Sequence, residues 1–215
     1  MQMYRIVFCF IVIGILSGCV GSIAITPEQE SADKKILQTF FSDIRQAIRS
    51  NNAEVLYHSL SRGSTDWIDD IRYAVDSEPY NFLEGRAFYE ILCILALRFE
   101  ESKNPGQAMD PVSIIQRTII QIGAIRKNFI KYPLGEFRIS RFSAEIGLKK
   151  APNVPVFFFE KENEVWKFDI VRSLPIILLG AESIARQKRN TPIKQAVFLL
   201  EKMAGRKIKP EELAR

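Results

Sequence analysis

Histidine is nearly absent from this chain: His58 is the only one in 215 residues. A metal centre built on imidazole needs further ligands of that kind, and the three cysteines do not replace them. Cys9 lies in an N-terminal apolar run, Cys19 closes that run and Cys93 stands alone in an apolar stretch. No Gly-x-Ser-x-Gly elbow and no glycine-rich phosphate loop occurs, so the familiar sequence signs of serine-hydrolase and nucleotide chemistry are lacking. Acids cluster at Asp66, Asp69 and Asp70, where they read as solvated residues at a helix start that suit its dipole; further oxygen ligands for a divalent ion cannot be placed. The reading therefore assigns no metal, no cofactor and no catalytic residue, and it places His58 on the surface or in packing. Internal repeats and low-complexity tracts are also missing. With 47% apolar and 26% charged residues, that points to one well-filled globular domain.

Charge is unevenly placed. From Glu182 to Arg215 there are nine Lys or Arg against four Asp or Glu, which accounts for the whole formal charge of +5 and leaves 21 of each sign in residues 1–181. The basic character belongs to the C-terminal segment. Close to a bilayer, such a segment would meet anionic lipid headgroups or lipopolysaccharide phosphates. The plainer alternative is that residues 192–204 pack one apolar face on the domain while the charges are solvated.

Residues 1–19, MQMYRIVFCFIVIGILSGC, have a short head with Arg5, thirteen uncharged residues from Ile6 to Gly18, and then a cysteine. Thirteen helical residues reach about 20 Å, short of the ~30 Å hydrocarbon core, which favours an export signal over a permanent span. Leu16, Ser17, Gly18 and Cys19 resemble the lipobox of bacterial lipoproteins. That resemblance implies a signal peptide over 1–18, recognised through Leu16, Ser17 and Gly18, and acyl chains such as palmitate on Cys19. It also implies a tether over 19–25 and a chain held in the bacterial cell envelope, facing the periplasm. Val20 follows the cysteine in place of the aspartate that marks inner-membrane retention in enteric bacteria, so the outer membrane is expected. Nucleic acid is not an expected partner there; an envelope protein is.

Thr26, Pro27 and Gln29 form a capping-box pattern with proline at the first helical position, and Ile36, Leu37, Phe40, Phe41, Ile44 and Ile48 continue at helical spacing to Asn51 and Asn52. A short helix through Val55, Leu56 and Leu60 follows. A further one through Trp67, Ile68, Ile71, Tyr73 and Val75 stops at Ser77–Pro79. Residues 81–101 are apolar on nearly all sides between Phe88 and Leu97, as a central buried helix would be. Asp110 and Pro111 open a helix running through Ile114, Ile119, Ile122 and Ile125 up to Pro133. From Gly135 the period becomes two, with a change of phase near Ser140 and Arg141 that is either a bulge or the join of two short strands. In VPVFFFEKENEVWKFDIV, a turn at Glu162–Asn163 sets Phe159 against Trp166 and Phe157 against Phe168, with Lys161 facing Glu164. One face is then aromatic, and the other, with Val156, Phe158, Lys167 and Asp169, half-solvated or ligand-facing. Pro175 opens an apolar helix and Thr191–Pro192 a last one, stopped by Gly205.

Phe158, Glu160, Trp166, Lys167, Phe168 and Asp169 make the closing phrase similar to that of the nuclear transport factor 2-like superfamily, which includes ketosteroid-isomerase-like enzymes. The chain departs from that pattern in its larger share of helix and in Asn163, where glycine is commoner. The resemblance implies an α+β fold: N-terminal helices packed on a curved antiparallel sheet, a cone-like roll, with C-terminal helices. The alternative is a mostly helical chain with a small β-meander. In domain terms, 26–190 form the helical and curved-sheet domain, and 191–215 a basic C-terminal helix and tail. The leading functional expectation is a lipid-anchored, non-catalytic binding or interaction module. The rival is a small isomerase-like enzyme or hydrophobic-ligand carrier whose apolar cone is lined by Trp67, Tyr89, Phe158 and Asp169. Against a role for Asp169 stands a simple pairing with Lys167 or Arg172 on a wet face.

Cells fed a labelled fatty acid should incorporate it into the chain, and Cys19→Ala should abolish the incorporation. Equal labelling of both forms would overturn the lipidation.

Overall fold

In the computed structural model, residues 25–107 and 109–214 are described; Leu16, Ser17, Gly18 and Cys19 lie outside them. Helix α1 (Pro27–Arg49) starts where the sequence places it. The Thr26 hydroxyl accepts from the Gln29 backbone N–H and the Gln29 side chain accepts from the Thr26 N–H, closing the box. Its buried stripe is Leu37, Phe41, Ile44 and Ile48, with Asp33 added and Ile36 turned out to solvent. After α2 (Ala53–His58), α3 (Arg62–Ser77) begins one turn earlier than expected. Asp66, Asp69 and Asp70 therefore fall beyond its first turn, so the dipole argument for them does not hold. A 3₁₀ turn over Tyr80–Gly85 takes the first part of the stretch expected to be one helix, and the buried α4 (Phe88–Lys103) takes the rest. Arg98 of α4 is 3% exposed, and its guanidinium donates to the carbonyls of Ala74, Val75 and Glu78 at the C-terminal end of α3. A charge is stable there because the carbonyls at a helix C-terminus carry the negative end of the helix dipole.

The helix expected over 110–132 is broken. Asp110 caps α5 (Pro111–Ile115), a π-helical turn occupies Gln116–Ile120, and α6 (Gly123–Lys131) follows. The sheet is an antiparallel meander in the order β1 (Leu134–Ile139), β2 (Ser143–Leu148), β3 (Ala151–Glu162) and β4 (Val165–Asp169). The phase change near Ser140 is the turn of the first hairpin, so two strands, not one bulged strand, account for it. Bulges do bend the β2–β3 pair around Gly147, where a Cβ would stand 2.4 Å from the Pro152 carbonyl oxygen.

In the last hairpin the turn is Asn163–Glu164, both with positive φ, as a two-residue turn of the primed type requires. The register is therefore shifted from the expected one: Phe159 pairs with Phe168, Lys161 with Trp166 and Phe158 with Asp169. A shift of two keeps every side chain on its expected face. The aromatic face survives, and its rings are packed. Phe157 lies 4.5 Å from Phe41 of α1 and 5.6 Å from Phe129 of α6, centroid to centroid, and Phe159 lies 5.4 Å from Phe168. The other face is not half-solvated. Helix α7 (Ile170–Gln187) starts directly after β4 and folds back over it, leaving Val156, Phe158 and Asp169 buried. Pro175 therefore sits inside α7 and does not open it, because Asp169 already supplies the cap.

Segment Ser59–Ser61 adds a short parallel bridge to the outer edge of β4: Phe168 N–H donates to Ser59 O and Ser61 N–H to Phe168 O. The C-terminal α8 (Pro192–Ala204) runs from the Thr191 cap to a left-handed Gly205, as expected, and packs on α4 through Ile193, Ala196 and Leu200. Ile208 and Leu213 are buried behind it, so the basic segment is folded onto the body. The architecture is α+β, with the small meander held between helices.

Phe157→Ala should cost about 3–5 kcal/mol of unfolding free energy in chemical denaturation, the range for a fully buried ring. Phe142→Ala, at an exposed turn, should change it by less than about 0.5 kcal/mol.

Candidate functional site

The fold gathers the four residues that the sequence nominates for a pocket. The rings of Trp67 on α3 and Tyr89 on α4 stand 6.0 Å apart. Phe158 and Asp169 are cross-strand neighbours, and the carboxylate of Asp169 is close enough to act on the Tyr89 hydroxyl. Burial, then the charges of Glu90, Cys93 and Asp169, push that hydroxyl up to about 12. The arrangement is nonetheless packing. Asp169 is 6% exposed, and its carboxylate accepts the Arg172 backbone N–H at 3.0 Å as the N-cap of α7; the expected pairing with Arg172 is present, Nε to Oδ2 at 3.9 Å, but not on a wet face. The Arg172 guanidinium covers the Phe158 ring at 4.3 Å, while the Ser173 hydroxyl accepts from Phe158 N–H and donates to the Asp169 carbonyl. None of the four residues lines the cleft beside α5 or the groove between α6 and α7. Trp67 Nε1 is buried without a partner among the described residues.

Two of the α3 acids are likewise occupied, Asp70 by Arg86 at 2.7 Å and Asp69 by Arg72 at 3.2 Å. Among the described residues, no cluster of three or more His, Cys, Asp or Glu is arranged to hold a metal ion. His58 is exposed at the end of α2, with its ring 5.6 Å from that of Tyr57. Burial pushes the Cys93 thiol far above its ordinary range, which makes it a packing residue rather than a nucleophile.

A different place has the character of a binding site. An open cleft of about 600 Å³ lies between the α1–α2 corner and the α5–π-turn segment. Its near wall is set by Asn51 and Asn52. Asn51 takes a left-handed backbone (φ 56°), which its short polar side chain tolerates, and Asn52 caps α2 by accepting from Val55 N–H. Arg126 pins this corner by donating to the Asn51 side chain and to the Arg49 carbonyl, each at 3.0 Å. The far wall is the π turn, in which Gln121 N–H donates to the Gln116 carbonyl. This i to i+5 bond replaces the usual i to i+4 bond and brings both glutamine side chains to the cleft.

Arg117 donates from one terminal nitrogen to Gln107 Oε1 at 2.7 Å, and its other terminal nitrogen is buried without a partner. The side chains of Glu54, Gln116 and Gln121 make no hydrogen bond among the described residues. Each free carboxamide offers two donors beside an acceptor, and the opposite charges of Arg117 and Glu54 leave the cleft without net charge. That set matches a neutral ligand rich in hydroxyl or amide groups. Sequence reading missed the site because Asn51–Asn52 serve as a helix stop and the glutamines lie inside an isoleucine-rich helical run. The available signal was the spacing of five between Gln116 and Gln121 in that otherwise apolar pattern.

No protein-family model, no curated protein and no solved structure gives a significant match to this chain.

Tyr89 makes stability depend on pH at the alkaline end. Its folded value of about 12 exceeds the ordinary 10.0, so its contribution is full below pH 10 and is lost as pH rises towards 12. Denaturant titrations across that window should show a fall in stability that is smaller in Tyr89→Phe.

Proposed function

We propose that the mature chain is a lipid-anchored protein of the bacterial cell envelope, facing the periplasm, whose domain is a non-catalytic binding module. The polar cleft is its ligand site. The observation that carries the reading is the buried, unpartnered nitrogen of Arg117 beside the unbonded side chains of Gln116, Gln121 and Glu54. A buried donor without a partner costs roughly 1–3 kcal/mol, more when charged, and a bound oxygen atom relieves that cost. The π turn supports the same reading, since such turns recur at functional sites.

The anchor fits this geometry. Thr26 lies seven positions after Cys19, a reach of at most ~25 Å, so the start of α1 stays near the bilayer. The cleft lies at the other end of α1, a helix of 23 residues and therefore ~35 Å long. A ligand in the periplasmic space would meet the cleft at the end of α1 remote from the tether. Among the described residues no helix is long and apolar enough to cross a membrane.

The ligand class proposed is a neutral glycan, whose hydroxyls pair as donors and acceptors with carboxamides. Titration calorimetry of the full chain in a nonionic detergent free of sugar groups, with an N-acetylated amino-sugar oligomer as probe, should detect binding. Arg117→Met should weaken it by about tenfold or more, the size of one lost bond to a charged donor, and Gln116→Leu with Gln121→Leu should weaken it further. An unchanged affinity in Arg117→Met would overturn the assignment of the cleft.

A further inference from the structure

A second concavity lies where α6, which packs on the aromatic face, meets α7, which covers the other face. It is an apolar groove of about 310 Å³ between α6, the β2–β3 turn and α7, with Val156, Ile177 and Leu178 buried in it. Tyr132, Val154 and Leu179 stand at its mouth, 39%, 50% and 55% exposed. Exposed apolar side chains grouped around a concavity mark a binding surface more often than a random scatter does. The volume is at the lower end of the ~300–1,000 Å³ usual for small-ligand sites.

Two further features say what kind of ligand fits. The first is the charge on the chain segments next to the lining residues. Lys131 adjoins Tyr132 in sequence, and Lys149–Lys150 form the turn between the lining residues Leu148 and Ala151. The two lysine-bearing segments are held together by Lys149 N–H donating to the Pro133 carbonyl at 3.0 Å. All three lysines are exposed, and none makes an ion pair among the described residues. The second is Gly180, which lines the groove from inside α7. A glycine within a helix is unfavourable relative to almost any other residue, and a Cβ here would meet no atom within 4 Å. No contact therefore requires glycine at this position, and the space beside it is open. Asn128 fixes the wall by donating to the Ile177 carbonyl at 2.8 Å.

We infer that this groove holds a single-chain anionic amphiphile of the fatty-acid type, its hydrocarbon chain along Val156, Ile177 and Gly180 and its carboxylate at Lys131 and Lys149. Burial of the chain supplies the attraction and the lysines fix the direction in which it enters. The site is separate from the polar cleft and does not depend on that cleft's ligand.

The test uses the full chain in nanodiscs of neutral phosphatidylcholine, with a diazirine-bearing dodecanoic acid as the probe and the matching dodecanol as the uncharged control, and labelled peptides mapped by mass spectrometry. The acid should label peptides containing Val154 and Leu179. Gly180→Leu should suppress that labelling while raising the melting temperature, because it fills the groove and favours the helix; a loss caused by misfolding would lower it. Lys131→Gln with Lys149→Gln should reduce labelling by the acid roughly tenfold and leave the alcohol unaffected. Labelling by acid and alcohol to equal extent would assign the groove to an uncharged apolar partner and overturn the inference. Labelling unchanged in Gly180→Leu would overturn it as well.

Discussion

The contact between the aromatic face of β3–β4 and the inner faces of α1 and α6 is the constraint on which the rest depends. Phe41 touches Phe157, Phe159 and Phe168, and Phe129 meets Phe157 and Phe168 from the other side. Rings at such tilted and edge-on angles bury large areas and add a directional preference that aliphatic packing lacks. A two-stranded hairpin has little stability alone, so this one depends on β2 paired beside it and on the helices that close on its faces. At the rim of the same contact, Asp33 of α1 accepts from Lys161 Nζ with both oxygens at 3.1 Å and from Trp166 Nε1 at 3.0 Å. A nearly buried carboxylate is stable there because charge and hydrogen bonding are both satisfied, and the fixed partners set how α1 lies across the hairpin.

That packing leaves the two concavities at the seams. The aromatic face is filled by its own rings and the opposite face is covered by α7, whose cap is Asp169. Both concavities therefore lie where elements end or bend. The polar cleft forms where α1 stops at a left-handed asparagine and where a π turn interrupts the following helices. The apolar groove forms where α7 passes the bulged β2–β3 turn and carries a glycine towards it. Their chemistries differ because the residues that end helices are amides and hydroxyls, whereas a helix covering a sheet is apolar.

Much of the element order could be read from the residues. The box at Thr26 and Gln29, the cap at Asp110, the Thr191–Pro192 start and the Gly205 stop are local hydrogen-bond or dihedral requirements, met within four residues whatever the remainder does. The facing of Phe157, Phe159, Trp166 and Phe168 was legible for a similar reason. A strand alternates with period two, and the register shift of two preserved it. The candidate site was not legible, since Gln116, Arg117 and Gln121 acquire their meaning only when the helix widens into a π turn beside Asn51, a residue 65 or more positions away.

The sequence by itself determined the starts of α1, α5 and α8, the apolar aromatic face of the hairpin, and the N-terminal lipobox-like segment, because each of these follows from a few neighbouring residues. Tertiary structure alone decided that the polar-looking face of the hairpin is buried, that Asp169 is a cap and that the basic C-terminal segment lies folded on α4. The physical reason is that burial belongs to a pair of surfaces: Phe158 reads as half-exposed until α7 lies over it, and no local pattern specifies what a helix further along the chain will cover.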